Sequence, residues 1–341
     1  MTRRLFHTAA AAALSAAAQE RRPPVRLGID LFSIRSQGWD AFRYLDFCAK
    51  WKAKVVHFSE IRFIGSLEAE HLKKVRARAE QYGIELELGM RSICPTSKAF
   101  DPAQGTAEQQ LLRMLDAGKV AGSKLIRAFL GTMADRADGA IDRHIENTAK
   151  VLRGVRNRFV DAGLKVAIEN HAGDMQGREL KTLIEEAGKD FVGACLDSGN
   201  PVWAIEDPHL TLDTLAPYVL TSHVRDSAVW RTPEGIAVRW TRMGEGNVNI
   251  RDWATRFVER CPGKALSLEI IVTGPRNFAV YDPQFWEGYR NTPAWEFSRF
   301  LALAEKGRPA PYQPPSKEQA AARELEDLEE SLRWVHQLFH L

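Results

Sequence analysis

Little in this chain points to redox, nucleic-acid or membrane-spanning chemistry. Its 341 residues hold only four cysteines, Cys48, Cys94, Cys195 and Cys261. They lie far apart with no Cys-x-x-Cys spacing, which leaves out a zinc ribbon and a dithiol redox motif. Spacing alone does not say whether any pair is bridged, and Cys195, inside an apolar run, reads as a small buried hydrophobe. Charge of one sign is missing too: 47 Lys and Arg against 44 Asp and Glu leave a formal charge of +3. With no basic block interleaved with aromatics, a nucleic-acid partner is disfavoured. No apolar run approaches the roughly 20 residues that a membrane-spanning helix needs. No Gly-rich phosphate cradle of defined spacing appears either.

The N-terminus has its own pattern. Thr2-Arg3-Arg4-Leu5-Phe6 precedes an alanine-rich stretch, and Ala16-Ala17-Ala18 before Gln19 offers a small-residue cleavage site. Paired arginines, a weak apolar centre and small residues at the end predict a twin-arginine export signal over 1–18. The protein is then expected outside the cytoplasm, periplasmic or extracellular.

What the chain has in quantity is alternation. Strand-like runs fall at 25–32, 55–58, 84–89, 124–130, 164–169, 191–197, 219–223 and 265–269. Amphipathic stretches separate them, as at 67–82, 107–121, 140–162 and 250–260, several closed by glycine (Gly83, Gly122, Gly163). Eight such units predict an α/β fold, a (β/α)₈ TIM barrel over 25–306. Residues 307–341 read as a Pro-rich linker followed by a C-terminal helical extension. There Ser316 and Gln319 form a capping box, and Leu325, Leu328, Leu332, Val335 and Phe339 share one face. That face is expected to pack on the barrel, with a dimerisation arm, hence a homo-oligomer, as the alternative. Long segments after His223 and after Glu269 are expected to be irregular loops walling a pocket.

Four late strands each end on a metal-friendly side chain: Val166-Ala-Ile-Glu169, Gly193-Ala-Cys-Leu-Asp197, Leu220-Thr-Ser-His223 and Leu266-Ser-Leu-Glu269. Strands of a parallel barrel all finish on one face, so Glu169, Asp197, His223 and Glu269 should converge there. One imidazole and three carboxylates suit one divalent ion: Mn²⁺, Co²⁺, Zn²⁺ or Mg²⁺. Glu169 and Glu269 are the candidate catalytic pair, since a carboxylate can bind a metal through one oxygen and take a proton with the other.

These motifs, with Asn170-His171, Ser-Gly-Asn200, Val-Arg225-Asp226 and Gly244-Glu-Gly-Asn247, resemble the xylose-isomerase-like TIM-barrel superfamily. The likeness is to its sugar phosphate isomerase/epimerase branch, over roughly 25–305. It implies a small-molecule carbohydrate substrate and proton abstraction beside a carbonyl through a metal-stabilised enediolate, giving isomerisation or epimerisation. Dehydration or keto-glycoside elimination is the chemical neighbour. Arg225, His171, Asn200 and His57 are the candidate substrate contacts, with Glu60 and Arg91 near the same mouth. Where many relatives carry a histidine three residues after the aspartate, this chain has Asn200, and no Asp-x-His follows His223. Both departures favour a mononuclear site over the trinuclear one of the endonuclease IV branch. A metal-dependent phosphodiesterase and a non-catalytic sugar-binding barrel are therefore the weaker alternatives.

Overall fold

A computed structural model describes residues 23–137, 141–309 and 312–341. The export signal expected at 1–18 lies outside the described residues.

Eight parallel strands form the centre: β1 (Arg26–Asp30), β2 (Val55–Phe58), β3 (Glu85–Ser92), β4 (Leu125–Phe129), β5 (Lys165–Glu169), β6 (Val192–Asp197), β7 (Val219–His223) and β10 (Ala265–Leu268). They are ordered β10-β1-β2-β3-β4-β5-β6-β7. A parallel bridge between Val224 and Leu268 joins the two ends and closes the ring. The TIM barrel expected from the alternation is thus the fold. Glycine is required where neighbouring segments crowd the wall: a Cβ on Gly89 would meet the Ser59 backbone at 2.6–2.9 Å.

Helices α1 (Ala41–Lys50), α2 (Ile61–Ile64), α3 (Ala69–Tyr82), α4 (Ala107–Ala121), α5 (Ile141–Asp161), α6 (Gly177–Ala187), α7 (Pro208–Leu215), α8 (Ile250–Arg260) and α9 (Ala294–Lys306) connect the strands or follow the last. Their starts and stops follow local chemistry. Thr106 and Gln109 make a reciprocal capping box at the head of α4, and Gly122 ends it in the left-handed region at φ 74°.

Two expectations need correction. The segment after His223 is not irregular: β8 (Asp226–Thr232) and β9 (Gly235–Thr241) form an antiparallel hairpin, extended by β11 (Arg276–Phe278). The reason lies in Ala-Val-Trp230 and Ile-Ala-Val238-Arg-Trp240, both strand-forming, on either side of a two-residue turn at Pro233-Glu234. Pro233 and Gly235, residues common in loops, mark only the turn and its exit. The segment after Glu269 likewise contributes β11 before a 3₁₀ turn at Pro283–Tyr289.

The C-terminal helix α10 (Ala320–Phe339) packs onto the barrel, burying Leu328, Leu332 and Val335. Ser316 and Gln319 make the expected reciprocal bonds just before it, at 3.2 and 3.3 Å. Glu324 accepts from the Ser36 backbone at 2.8 Å and its hydroxyl at 2.9 Å, tying α10 to the loop after β1. All four cysteines are free and buried. Among the described residues no helix is long and apolar enough to cross a membrane.

Candidate metal centre

Glu169, Asp197, His223 and Glu269 end β5, β6 and β7 and follow β10, and each is buried. Ligand atoms from all four lie within 4.8 Å of one another. Glu169 Oε2 is 2.9 Å, and Glu269 Oε2 3.2 Å, from His223 Nδ1.

The neighbours orient these groups. Asp197 Oδ1 accepts from the Gly199 and Asn200 backbone amides, both at 2.6 Å, and its Oδ2 pairs with Arg225. Asn170 exchanges two hydrogen bonds with the Asp197 backbone and so locks the end of β5 to that of β6. Asn200 donates from Nδ2 to Glu169 Oε1 at 3.0 Å. On its other ring nitrogen, His223 Nε2 lies 2.9 Å from His57 Nδ1 and 3.2 Å from Asp30 Oδ2. A neutral His223 carrying its proton on Nε2 donates there and presents a lone pair on Nδ1, which has no hydrogen-bond partner of its own.

That orphaned, buried Nδ1 facing carboxylate oxygens is what a divalent ion would satisfy, so the donor set fits one. Charge agrees. Burial disfavours a charged His223, yet Cys195, Glu169, Glu269 and Asp30 together hold its pKa well above the usual value. Burial keeps Cys195 as a neutral thiol, its pKa pushed up to about 12, so the carboxylates carry the attraction. The same negative field draws a cation, which would displace the imidazole proton. Burial also raises Asp197, to about 7, with Arg225 opposing. For Glu169 and Glu269 burial raises the pKa, but the guanidinium beside each (Arg127 and Arg225) and His223 outweigh it and leave both lowered.

A cavity of about 240 Å³ opens over this cluster, lined by Arg127, Glu169, His171, Asn200, Arg225, Trp240 and Glu269 among others. Three of the four expected substrate contacts, His171, Arg225 and Asn200, therefore reach it. His171 stacks on Phe129 at 3.8 Å, and its Nδ1 lies 2.7 Å from the Gly131 carbonyl. Burial lowers its pKa, so it is a neutral imidazole with Nε2 free to accept. Arg225 bridges Asp197 and Glu269 and lies 4.4 Å above the Trp240 ring. His57 is not brought to the cavity. It is fully buried one layer below, beside His223, Asp30 and Glu87. Strand β2 ends at Phe58, one residue beyond it, and it is Ser59 and Glu60 after the strand that line the cavity.

Sequence reasoning passed over Arg127, whose Nε donates to Glu169 Oε2 at 2.6 Å and whose Nη1 reaches the Met90 carbonyl at 3.2 Å. An arginine inside Leu-Ile-Arg127-Ala-Phe was the available signal, because a cation mid-strand needs a buried partner. Asp226 and the Gly244-Asn247 motif prove to be scaffold. Asp226 accepts from the Gly244 and Gly246 amides at 3.0 and 2.8 Å, and Asn247 bonds the Val229 backbone.

The model of one protein family, described as "Xylose isomerase-like TIM barrel", matches residues 41–286. The chain belongs to that family. It is 25% identical over 187 residues to the 3-oxo-isoapionate decarboxylase of Pectobacterium atrosepticum, an alignment covering 55% of this chain and 61% of that protein. The chain thus spans less than two thirds of that relative's length. Among solved structures, D-psicose 3-epimerase, determined in the presence of D-fructose, superposes with a TM-score of 0.58 at 15% identity, over 92% of this chain and 99% of the epimerase. The IolI protein with a bound zinc atom gives a TM-score of 0.55 at 14% identity, over 82% of this chain and 96% of that one. At these identities the structural likenesses are of fold.

Proposed function

We propose that the protein is a metal-dependent isomerase or epimerase of a carbohydrate, acting by proton transfer at the carbon beside a carbonyl. The observation that carries this reading is the convergence of Glu169, Asp197, His223 and Glu269, two of them glutamates flanking the cavity. The similar proteins include an epimerase, a decarboxylase and a zinc-binding barrel. Epimerisation and decarboxylation of carbonyl compounds have one need in common, a place for electron density that builds beside C=O. A divalent ion held by the four side chains would act as the Lewis acid that polarises a bound carbonyl.

The chain's own residues supply the rest. Glu169 and Glu269 stand on strands separated by β6 and β7 around the ring. Both are ionised at neutral pH, so either can accept a proton from carbon and return it. Asn200 and Arg127 fix the two oxygens of Glu169, which sets the direction from which it approaches substrate. His171 Nε2 accepts from a sugar hydroxyl. Arg225 and Trp240 line the cavity on the side of the β8–β9 hairpin. Export directed by residues 1–18 would bring free or glycosidic sugars, rather than phosphorylated intermediates, to this site.

The experiment is proton NMR of metal-loaded protein in D₂O with free and keto sugars. Deuterium entering the α-position supports the reading. A substrate consumed with no exchange at that carbon refutes it.

A further inference from the structure

The cavity above the metal centre does not end at its rim. Glu60 and Arg91, which close it on one side, also line a second cavity of about 460 Å³. This groove lies on the catalytic face, over the segments that follow β2 and β3. The smaller cavity is below the roughly 300–1,000 Å³ usual for a pocket that buries a whole ligand, while the two together fall inside that range.

The groove is built rather than incidental. Its floor is apolar, with Met90 and Met114 buried and Leu67 half-buried. Its outer wall, residues 101–105, is pinned from behind: Gln110 donates to the Asp101 and Gly105 carbonyls, each at 2.9 Å, and Arg113 to that of Gln104. The Thr106–Gln109 capping box fixes the same wall to α4. Arg91, at the junction, has no ion-pair partner among the described residues.

We infer that this groove is a subsite for a second ring joined by a glycosidic bond to the sugar that reacts at the metal centre, so that the substrate is a keto disaccharide rather than a single sugar. The inference rests on the proposed carbonyl chemistry of the inner cavity. A sugar ring offers an apolar C–H face and a polar edge. Met90, Met114 and Leu67 match the face, and Asp101 and Arg113 supply an acceptor and a donor for the hydroxyls. The groove's charges are mixed, Glu60 and Asp101 beside Arg62, Arg91 and Arg113, and Glu60 is paired with Arg62. Arg91 is placed where the bond between the two rings would cross.

The test compares 3-ketoglucose with 3-ketocellobiose, ketone on the non-reducing ring, titrated calorimetrically into Mn²⁺-loaded Glu169→Gln protein. The two-ring sugar should bind at least about tenfold more tightly. Leu67→Trp and Gln104→Trp, both made in that background, fill the groove from half-buried and exposed positions and should each cut that advantage to below about threefold. Unchanged thermal melting of both Trp variants controls for folding. Equal affinity for the two sugars, an advantage that survives both Trp substitutions, or no binding of either sugar overturns the subsite. Deuterium exchange by the wild-type protein is read separately. Exchange with equal affinities sinks the subsite alone, and preferential disaccharide binding without exchange sinks the proposed chemistry alone.

Discussion

Glu169 is held by three partners, and each limits what it can do. Arg127 and His223 keep it ionised although it is wholly buried, and Asn200 occupies its other oxygen. Glutamine in its place keeps a carbonyl oxygen for coordination but cannot take a proton from carbon. Glu169→Gln and Glu269→Gln should therefore retain part of the metal yet lose turnover by about 10²–10⁴-fold. Metal analysis beside steady-state rates checks this, and near-wild-type rates in both loaded variants would reduce the glutamates to ligands. A second residue-scale prediction concerns Glu206, buried where it accepts from Gly177 N at 2.9 Å and Thr211 Oγ1 at 2.6 Å. Burial raises its pKa from 4.5 to about 7. Between those values the folded state keeps a proton that the unfolded chain has lost, so stability falls as pH rises, by at most about 3 kcal/mol, and stays low above pH 7. Glu206→Gln should melt higher than wild type at pH 8 and lose that advantage by pH 4.5; a gap independent of pH would contradict the assignment. At this scale the convergence of Glu169, Asp197, His223 and Glu269 was legible because each donor stops an apolar run. Arg127, Asp30 and Glu87 were not, because what they do depends on neighbours contributed by other strands.

Among the elements, those with strong local signals read true. Helices α4 and α8 have the bounds that periodicity and caps gave them, since apolar spacing and end residues are properties of a single segment. The β8–β9 hairpin escaped because its glycines and Pro233 look like loop, and pairing partners cannot be seen one segment at a time. Helix α10 is the element whose attachment is most exposed to test. Its apolar stripe was plain, but what it covers is decided by tertiary contacts: Arg242 pairs with Asp327, and a Cβ on Gly244, at φ 85°, would meet Trp334 at 2.4 Å. Leu332 is fully buried in that contact. Leu332→Ala should cost about 2–5 kcal/mol by deleting buried methyl groups and leaving a cavity. Thermal melting should show this as one lower transition for the whole protein. Unchanged barrel melting, with cleavage confined to residues near 307, would mean that α10 is docked independently.

For the whole molecule the charges at the barrel mouth bear on what a bound ion would do for the fold. Three buried carboxylates gathered at a barrel mouth would repel one another severely without compensation. Here Arg127 is paired with Glu169, and Arg225 with both Asp197 and Glu269, so the protein itself offsets most of that repulsion and leaves a residual negative charge for a cation. The packed barrel interior lies below and does not involve the ion. Chelation should then abolish activity while leaving far-ultraviolet circular dichroism unchanged, in contrast to domains that unfold without their metal. Adding back Mn²⁺, Co²⁺, Zn²⁺ or Mg²⁺ should raise the melting temperature with the logarithm of free metal, because the ion binds the native state alone. One equivalent per chain is expected. Asp197→Ala and His223→Ala should weaken that metal-dependent rise and leave the chelated protein folded. Three zinc ions per chain, or an apo protein without secondary structure, would overturn both the mononuclear centre and the role given to the two arginines.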